Sequence, residues 1–242
     1  MKQVYLTIEK NEKLTRDVLR LTLTGDASGV TNPGQFVNIA IDGFYLRRPI
    51  SVCDKEDGKI TLIYKVVGDG TRALSEAKEG TVLDTLTGLG NGYSTAKAGS
   101  SPLLIGGGVG IPPLFWLCKE LAGNGVSPSV ILGFNTADEI FLEEEFRALG
   151  VPVTVTTADG SRGVRGFVTD AIDPDHSYFY ACGPLPMLRA VAEKTSFPGE
   201  MSFEERMGCG FGACMGCSVL TKSGPVRVCR DGPVISKEDV IW

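Results

Sequence analysis

The chain has 242 residues, 43% of them hydrophobic and 22% charged, with a formal net charge of −5 at pH 7. That is enough chain for one large or two modest domains whose cores need no covalent staples. The acidic balance excludes the basic footprint of a nucleic-acid binder, and no apolar run reaches the roughly 18 residues of a membrane span. The first residues alternate and carry charge, so they read as a strand and not as a secretion signal, and the expected location is cytoplasmic. Seven cysteines are present, four of them crowded near the C-terminus, which in such a chain suggests a metal or redox site before disulfides.

Residues 1–97 read as all-β. Short apolar or alternating runs at 4–10, 18–25, 35–41, 50–55, 59–67 and 81–90 are separated by Gly, Pro and Asp, and six such strands suggest a small closed antiparallel barrel. Within it, Arg47-Arg48-Pro49-Ile50-Ser51 joins two strand regions. An arginine at such a point can clamp a diphosphate through paired charge-assisted hydrogen bonds, and a serine hydroxyl can reach a flavin nitrogen. Taken alone the match is weak, because an arginine next to a proline turn is usually only surface. Further on, Lys65, Val66 and Val67 run from a strand into a Gly-rich turn through Gly70 and Thr71, and a helix over Arg72–Ala77 follows. A helix N-terminus with free N–H groups is an anion site, here for a pyrophosphate.

Ser94–Ser101 is small and polar and reads as a linker. Residues 98–200 then alternate in the βα manner of a parallel sheet. Strands are expected near Leu103–Ile105, at Ser129–Phe134, Val151–Thr157 and Tyr178–Cys182. Helices are expected at Pro112–Leu121, at Asp138–Leu149 behind a capping-box spacing from Thr136 to Glu139, near Val168–Ile172, and at Pro186–Lys194. Gly106, Gly107, Gly108 and Gly110 follow the first of these strands, where a doubly wound fold binds phosphates, although the G-x-G-x-x-G fingerprint is not met. Cys182, Gly183 and Pro184 end the last strand. A cysteine there can face a nicotinamide ring or simply be a small residue before a helix. Asp159, after the third strand, suits the bare ribose of NAD, while Arg162 and Arg165 keep NADP open. Cys53 and Cys118 lie in apolar runs, as small buried hydrophobes do. The single histidine, His176, reads as a solvated loop residue and not as a catalyst.

Residues 201–242 hold Cys209, Cys214 and Cys217 at C-x4-C-x2-C spacing, with Cys229 after eleven further residues. This is the plant-type ferredoxin spacing for a [2Fe–2S] cluster. A four-cysteine zinc site is the alternative, but zinc favours paired short knuckles and the fourth cysteine stands alone. A hairpin is expected across residues 218–229.

Taken in order, R-P-x-S, the Gly-rich turn, Gly-Gly-Gly-Val-Gly-Ile-Pro-Pro-Leu, Ala-Cys-Gly-Pro and the cysteine spacing resemble the ferredoxin–NADP reductase superfamily. Within it the chain resembles the electron-transfer subunits of class 1B dihydroorotate dehydrogenase. The resemblance spans essentially the whole chain, and Phe203–Cys217 is its most specific part. It implies an α+β multidomain chain: an FAD-binding β-barrel at 1–97, an NAD-binding α/β domain at 98–200 and a [2Fe–2S] segment at 201–242. FAD would meet Arg48, Pro49, Ile50, Ser51, Lys65, Val66, Val67, Gly70 and Thr71. NAD(H) would lie across Gly106–Gly110 and Cys182–Pro184, and the cluster would take Cys209, Cys214, Cys217 and Cys229 as metal ligands. The implied role is electron transfer between NAD(H), FAD and the cluster with no catalytic side chain. The implied partner is an FMN-containing catalytic subunit that converts dihydroorotate to orotate in pyrimidine biosynthesis, in a heterotetramer of two plus two. The same modules also occur in small subunits of ferredoxin:NADP oxidoreductase, hydrogenase and sulfite reductase complexes.

Overall fold

A computed structural model describes residues 1–242. Six strands, β1 (Lys2–Lys13), β2 (Val18–Thr24), β3 (Phe36–Ile39), β4 (Arg48–Glu56), β5 (Lys59–Lys65) and β6 (Val82–Leu89), close into an antiparallel barrel ordered β1-β2-β5-β4-β3-β6. Side chains alternate across a strand, so Leu19, Leu21 and Leu23 of β2 turn inward to meet Leu6, Ile8 and Leu62 while Arg20 and Thr22 face out. Helix α1 (Asp69–Glu76) follows β5 at the barrel's rim.

The second unit contains β7 (Leu103–Gly107), α2 (Pro112–Gly123), β8 (Ser129–Phe134), α3 (Glu143–Ala148), β9 (Val153–Thr157), the short β10 (Val164–Arg165), β11 (Phe179–Cys182), α4 (Leu185–Lys194) and β12 (Gly199–Ser202). Beyond it lie the hairpin β13 (Ser218–Thr221) and β14 (Gly224–Arg227), and then β15 (Val234–Ser236). The large sheet runs β10-β9-β8-β7-β11-β12-β15, parallel except for β15 at the edge. Helices cover both faces, so its central strands are buried on both sides. Leu104, Val130, Leu132 and Tyr180 share a core with α2, whereas Leu103, Ile105, Ile131 and Phe179 share one with α4.

The barrel and the sheet are packed as one body. Trp116 of α2 enters the barrel's core. Lys119 of α2 meets Asp54 of β4 at 2.9 Å, and Arg20 of β2 pairs with Glu145 of α3. Phe36 and Leu89 of the barrel join the core that holds Cys217, Val228 and Cys229.

Several local expectations change. The expected helix over Asp138–Leu149 is a single 3-10 turn, Ala137–Glu139, and then α3 from Glu143. Glu139 reaches past the cap position to accept the N–H of Asn135 at 3.1 Å, and Leu142 takes a left-handed φ of 63°, which stops the turn from propagating. Both Phe141 and Leu142 are buried, so packing holds that break. The expected helix near Val168–Ile172 is one 3-10 turn, Val168–Ala171, secured by the Phe167 N–H donating to Asp170. The stretch Ser94–Ser101 is a strut as well as a connection: Glu200 accepts the Ser94 N–H at 2.9 Å and pairs with Lys97 at 2.8 Å. His176 lies in a loop and is half-buried, its Nδ1 3.2 Å from the Ser101 carbonyl and its ring against Phe197. The hairpin over residues 218–229 forms as the sequence suggests. No helix is long and apolar enough to cross a membrane.

Candidate functional site

The cysteine loop connects β12 to β13. Its small residues let the chain turn back so that backbone N–H groups face sulfur. The N–H groups of Ala213 and Cys214 donate to the Cys209 Sγ at 3.2 and 3.4 Å, and the Cys229 N–H donates to the Cys217 Sγ at 3.5 Å. The Cys209 thiol has the Cys214 thiol as its hydrogen-bonding neighbour, and the Cys229 thiol has that of Cys217. No three Cys, His, Asp or Glu groups converge on one point. Cys217 and Cys229 are buried, Cys209 is half-buried and Cys214 is exposed. Burial opposes the Cys209 thiolate, but N–H groups from Cys214, Phe211 and Ala213 win and bring its pKa down to about 6. Burial, then the neighbouring Cys217 thiol, pushes Cys229 up to about 12. Two pairs of thiols with sulfur-directed N–H groups suit a [2Fe–2S] cluster, with two thiolates per iron. Four thiols around a single tetrahedral ion would suit zinc. The residues present fit the cluster.

The flavin elements meet at the barrel's rim. Arg47 and Arg48 are adjacent but have different work. Arg47 is committed to Asp84, 2.7 Å from its carboxylate, and donates to the Asp84 carbonyl at 2.9 Å. That pairing holds the Asp84 carboxyl below the usual carboxylate range. Arg48 has no acidic partner. Its guanidinium lies 4.6 Å from the Phe44 ring centroid and donates to the Leu46 carbonyl. It also lies so close over Gly70 that a Cβ there would sit 2.1 Å from Nε. The cationic clamp and the N-terminus of α1 are thus one site, which fits a diphosphate. Pro49 is exposed and Ser51 half-buried, while Ile50 points into the barrel's core and offers a ligand only its backbone. The Thr71 hydroxyl accepts the N–H groups of Val67 and Gly68 at 2.9 and 3.2 Å, so it shapes the turn. Lys65 pairs with Asp17 at 3.1 Å, Val66 is half-buried and Val67 is exposed.

A cavity of about 650 Å³ opens between the units. It lies where the strand order turns from β8-β7 to β7-β11, the switch point at which open α/β sheets bind ligands. Gly107, Gly108, Gly110, Gly183 and Pro184 line it. Gly106 and Cys182 pair with each other across β7 and β11, one layer behind. Burial drives the Cys182 thiol far above its ordinary pKa, so it stays neutral. A side chain at Gly110 would meet the Cys182 carbonyl at 2.4 Å, so glycine is required where the two turns cross. Thr156, in the same wall, has a buried Oγ1 with no hydrogen-bond partner. An open cavity of this size with an unpartnered hydroxyl fits a nucleotide.

Three wall residues carried no signal in the sequence reading: Thr156, the exposed Phe167, and Glu204. Glu204 is exposed at the cavity, and desolvation of its carboxyl raises the pKa. Thr156 lies in a strand expected from the sequence, but β10 before Phe167 and β12 before Glu204 are not expected from it, and the wall the three form has no local signal. Asp159 is tied into its turn by the Ser161 N–H at 2.9 Å, and Arg162 is held 2.9 Å from Glu143.

A diphosphate clamp on a barrel, a nucleotide cavity at a sheet's switch point and a four-thiol loop define a flavin- and nicotinamide-linked oxidoreductase of the ferredoxin–NADP reductase type. The family model described as the iron-sulfur cluster binding domain of dihydroorotate dehydrogenase B matches residues 204–241, and that of the oxidoreductase NAD-binding domain matches residues 104–193. The chain is 41% identical to the dihydroorotate dehydrogenase B (NAD(+)) electron transfer subunit of Lysinibacillus sphaericus, covering 99% of each. It superposes on the NADH-dependent reduced ferredoxin-NADP oxidoreductase structure with a TM-score of 0.90 at 32% identity, covering 98% of this chain and 90% of that one. It shares its fold with a ferredoxin NADP+ reductase from Neisseria gonorrhoeae solved with FAD and NADP, with a TM-score of 0.70 at 15% identity over 80% of this chain and 90% of that one. The chain belongs to the family of dihydroorotate dehydrogenase B electron transfer subunits.

Proposed function

We propose that this chain passes electrons between NAD(H), FAD and a [2Fe–2S] cluster, to or from an FMN-containing catalytic subunit that interconverts dihydroorotate and orotate. The reading places the complex in the cytoplasm as two copies of each subunit. The observation that carries it is the wall of the nucleotide cavity, which takes Lys65 from the end of β5 and Glu204 from the segment leading to the cysteines. The nucleotide cavity therefore borders both the barrel and the segment that leads to the cysteines.

When bound, FAD supplies the exchange between a two-electron hydride donor and a one-electron cluster. The chain's residues hold and orient. Gly107–Gly110 and Gly183-Pro184 admit the nucleotide by backbone approach. Arg48 and the start of α1 neutralise the flavin pyrophosphate, and Ser51 faces outward from the same strand toward the flavin ring. Cys209, Cys214, Cys217 and Cys229 ligate the cluster. His176, half-buried beside Ser101 and Phe197, takes no part. The buried, neutral Cys182 backs the cavity without titrating.

The chain purified without oxygen is expected to hold flavin, two irons and two sulfides, and NADH should bleach its visible spectrum. A colourless, zinc-containing sample would refute the reading. Alone, it should not turn over dihydroorotate. The TM-score of 0.90 supports a second reading, the small subunit of a ferredoxin-NADP oxidoreductase. Identifying the subunit that co-purifies from the native source separates the two.

A further inference from the structure

Asn38 stands out as a polar side chain buried to 1% exposure in a strand otherwise made of Phe, Val and Ile. In β3, Val37 and Ile39 fill the barrel, while Phe36 and Asn38 face outward. Residues directly opposite in an antiparallel pair share a face. Asn38 is opposite Pro49, and Phe36 is opposite Ser51, so Asn38 shares the outer face with the flavin strand. From there its Nδ2 donates to the carbonyl of Cys209 at 3.3 Å.

Two further features hold it there. Arg47, paired with Asp84, also donates to the Asn38 carbonyl at 3.4 Å and so fixes the backbone of β3 against β6. Gly210, with φ of 77°, leaves the space, since a Cβ there would sit 2.2 Å from Asn38 Nδ2. The Asn38 Oδ1 is buried and has no partner. Buried acceptors are nearly always satisfied, so a buried asparagine with one unmatched atom is retained here for what its Nδ2 holds and not for filling space.

We propose that Asn38 is a positioning residue that joins the flavin strand to the cluster loop and fixes the carbonyl of Cys209 relative to the flavin site. This rests on Cys209 being a cluster ligand. It makes the barrel a determinant of the cluster's properties, although no cluster ligand lies in the barrel.

The test uses Asn38→Asp, close to asparagine in volume, and Asn38→Leu, which keeps the branch at Cγ but is bulkier and cannot hydrogen-bond, in the full chain purified without oxygen. Flavin content, iron release to a ferrous chelator, the paramagnetic resonance spectrum of the reduced cluster and the cluster's midpoint potential are measured. With Asn38→Leu, flavin should stay stoichiometric, iron should leave about tenfold faster, as the loss of one hydrogen bond gives, and the resonance spectrum should change. With Asn38→Asp, the added negative charge should lower the cluster potential, whereas Asn38→Leu should not reproduce that fall. Iron release and spectra equal to the unaltered protein in both variants would overturn the proposal. Parallel loss of flavin and iron would also overturn it, because Asn38 would then be only packing. An unaltered chain that carries no iron would instead refute the cluster reading itself.

Discussion

On the proposed reading, the nucleotide cavity and the cysteine loop would bind by opposite means. In the cavity the contact surface is largely backbone: Gly107, Gly108, Gly110 and Gly183 come from the ends of two strands that are neighbours only in the folded sheet. In the loop the contacts are side chains, three of them within nine residues of one another in sequence. The backbone site depends on where strand ends meet, and it tolerates little added bulk. The side-chain site depends on thiol identity, and its backbone serves to point N–H groups at sulfur.

Substitutions that should damage one site and spare the other sharpen this contrast. The largest effect is expected from Cys217→Ser, which removes a buried ligand: cluster absorbance should disappear while FAD stays bound. Normal cluster absorbance in that variant would break the ligand assignment. Gly110→Ala comes next. The new methyl would meet the Cys182 carbonyl at 2.4 Å, and overpacking of this kind costs about 1–3 kcal/mol. Titration of flavin bleaching should show NADH binding weakened more than tenfold with iron content unchanged. Equal affinity would show that the crossing of the two turns is not what shapes the cavity.

Arg48→Ala should weaken FAD by about 2 kcal/mol, the worth of a charge-assisted hydrogen bond, read as flavin lost on dialysis. Arg47→Ala should instead lower thermal stability by freeing Asp84, with flavin largely retained. If the two variants behave alike, the division of labour between the adjacent arginines is wrong. The smallest effect is expected at Glu204, whose folded-state pKa is raised by desolvation. A raised carboxyl favours the folded state below its unfolded pKa, and that advantage is lost as pH rises through the folded value. Glu204→Gln should therefore slightly raise the melting temperature at pH 8 and leave it unchanged near pH 4.

The sequence by itself determined the chemistry of this protein wherever chemistry resides in side-chain identity and local spacing. The C-x4-C-x2-C run with its distant fourth cysteine, the R-P-x-S element and the alternation of the barrel strands all act over a few residues, so their order is their signal. The period-2 and βα patterns likewise gave the barrel and the parallel sheet. The tertiary structure decided what depends on distant segments meeting. It assigned Arg47 to Asp84 and left Arg48 to Gly70, and it broke the helix expected after Thr136 at Leu142. It also brought Thr156, Phe167 and Glu204 into one wall, and set Asn38 against Cys209, 171 positions away. None of these contacts has a local signature, because each follows from packing free energy summed over elements and not from the preference of any one of them.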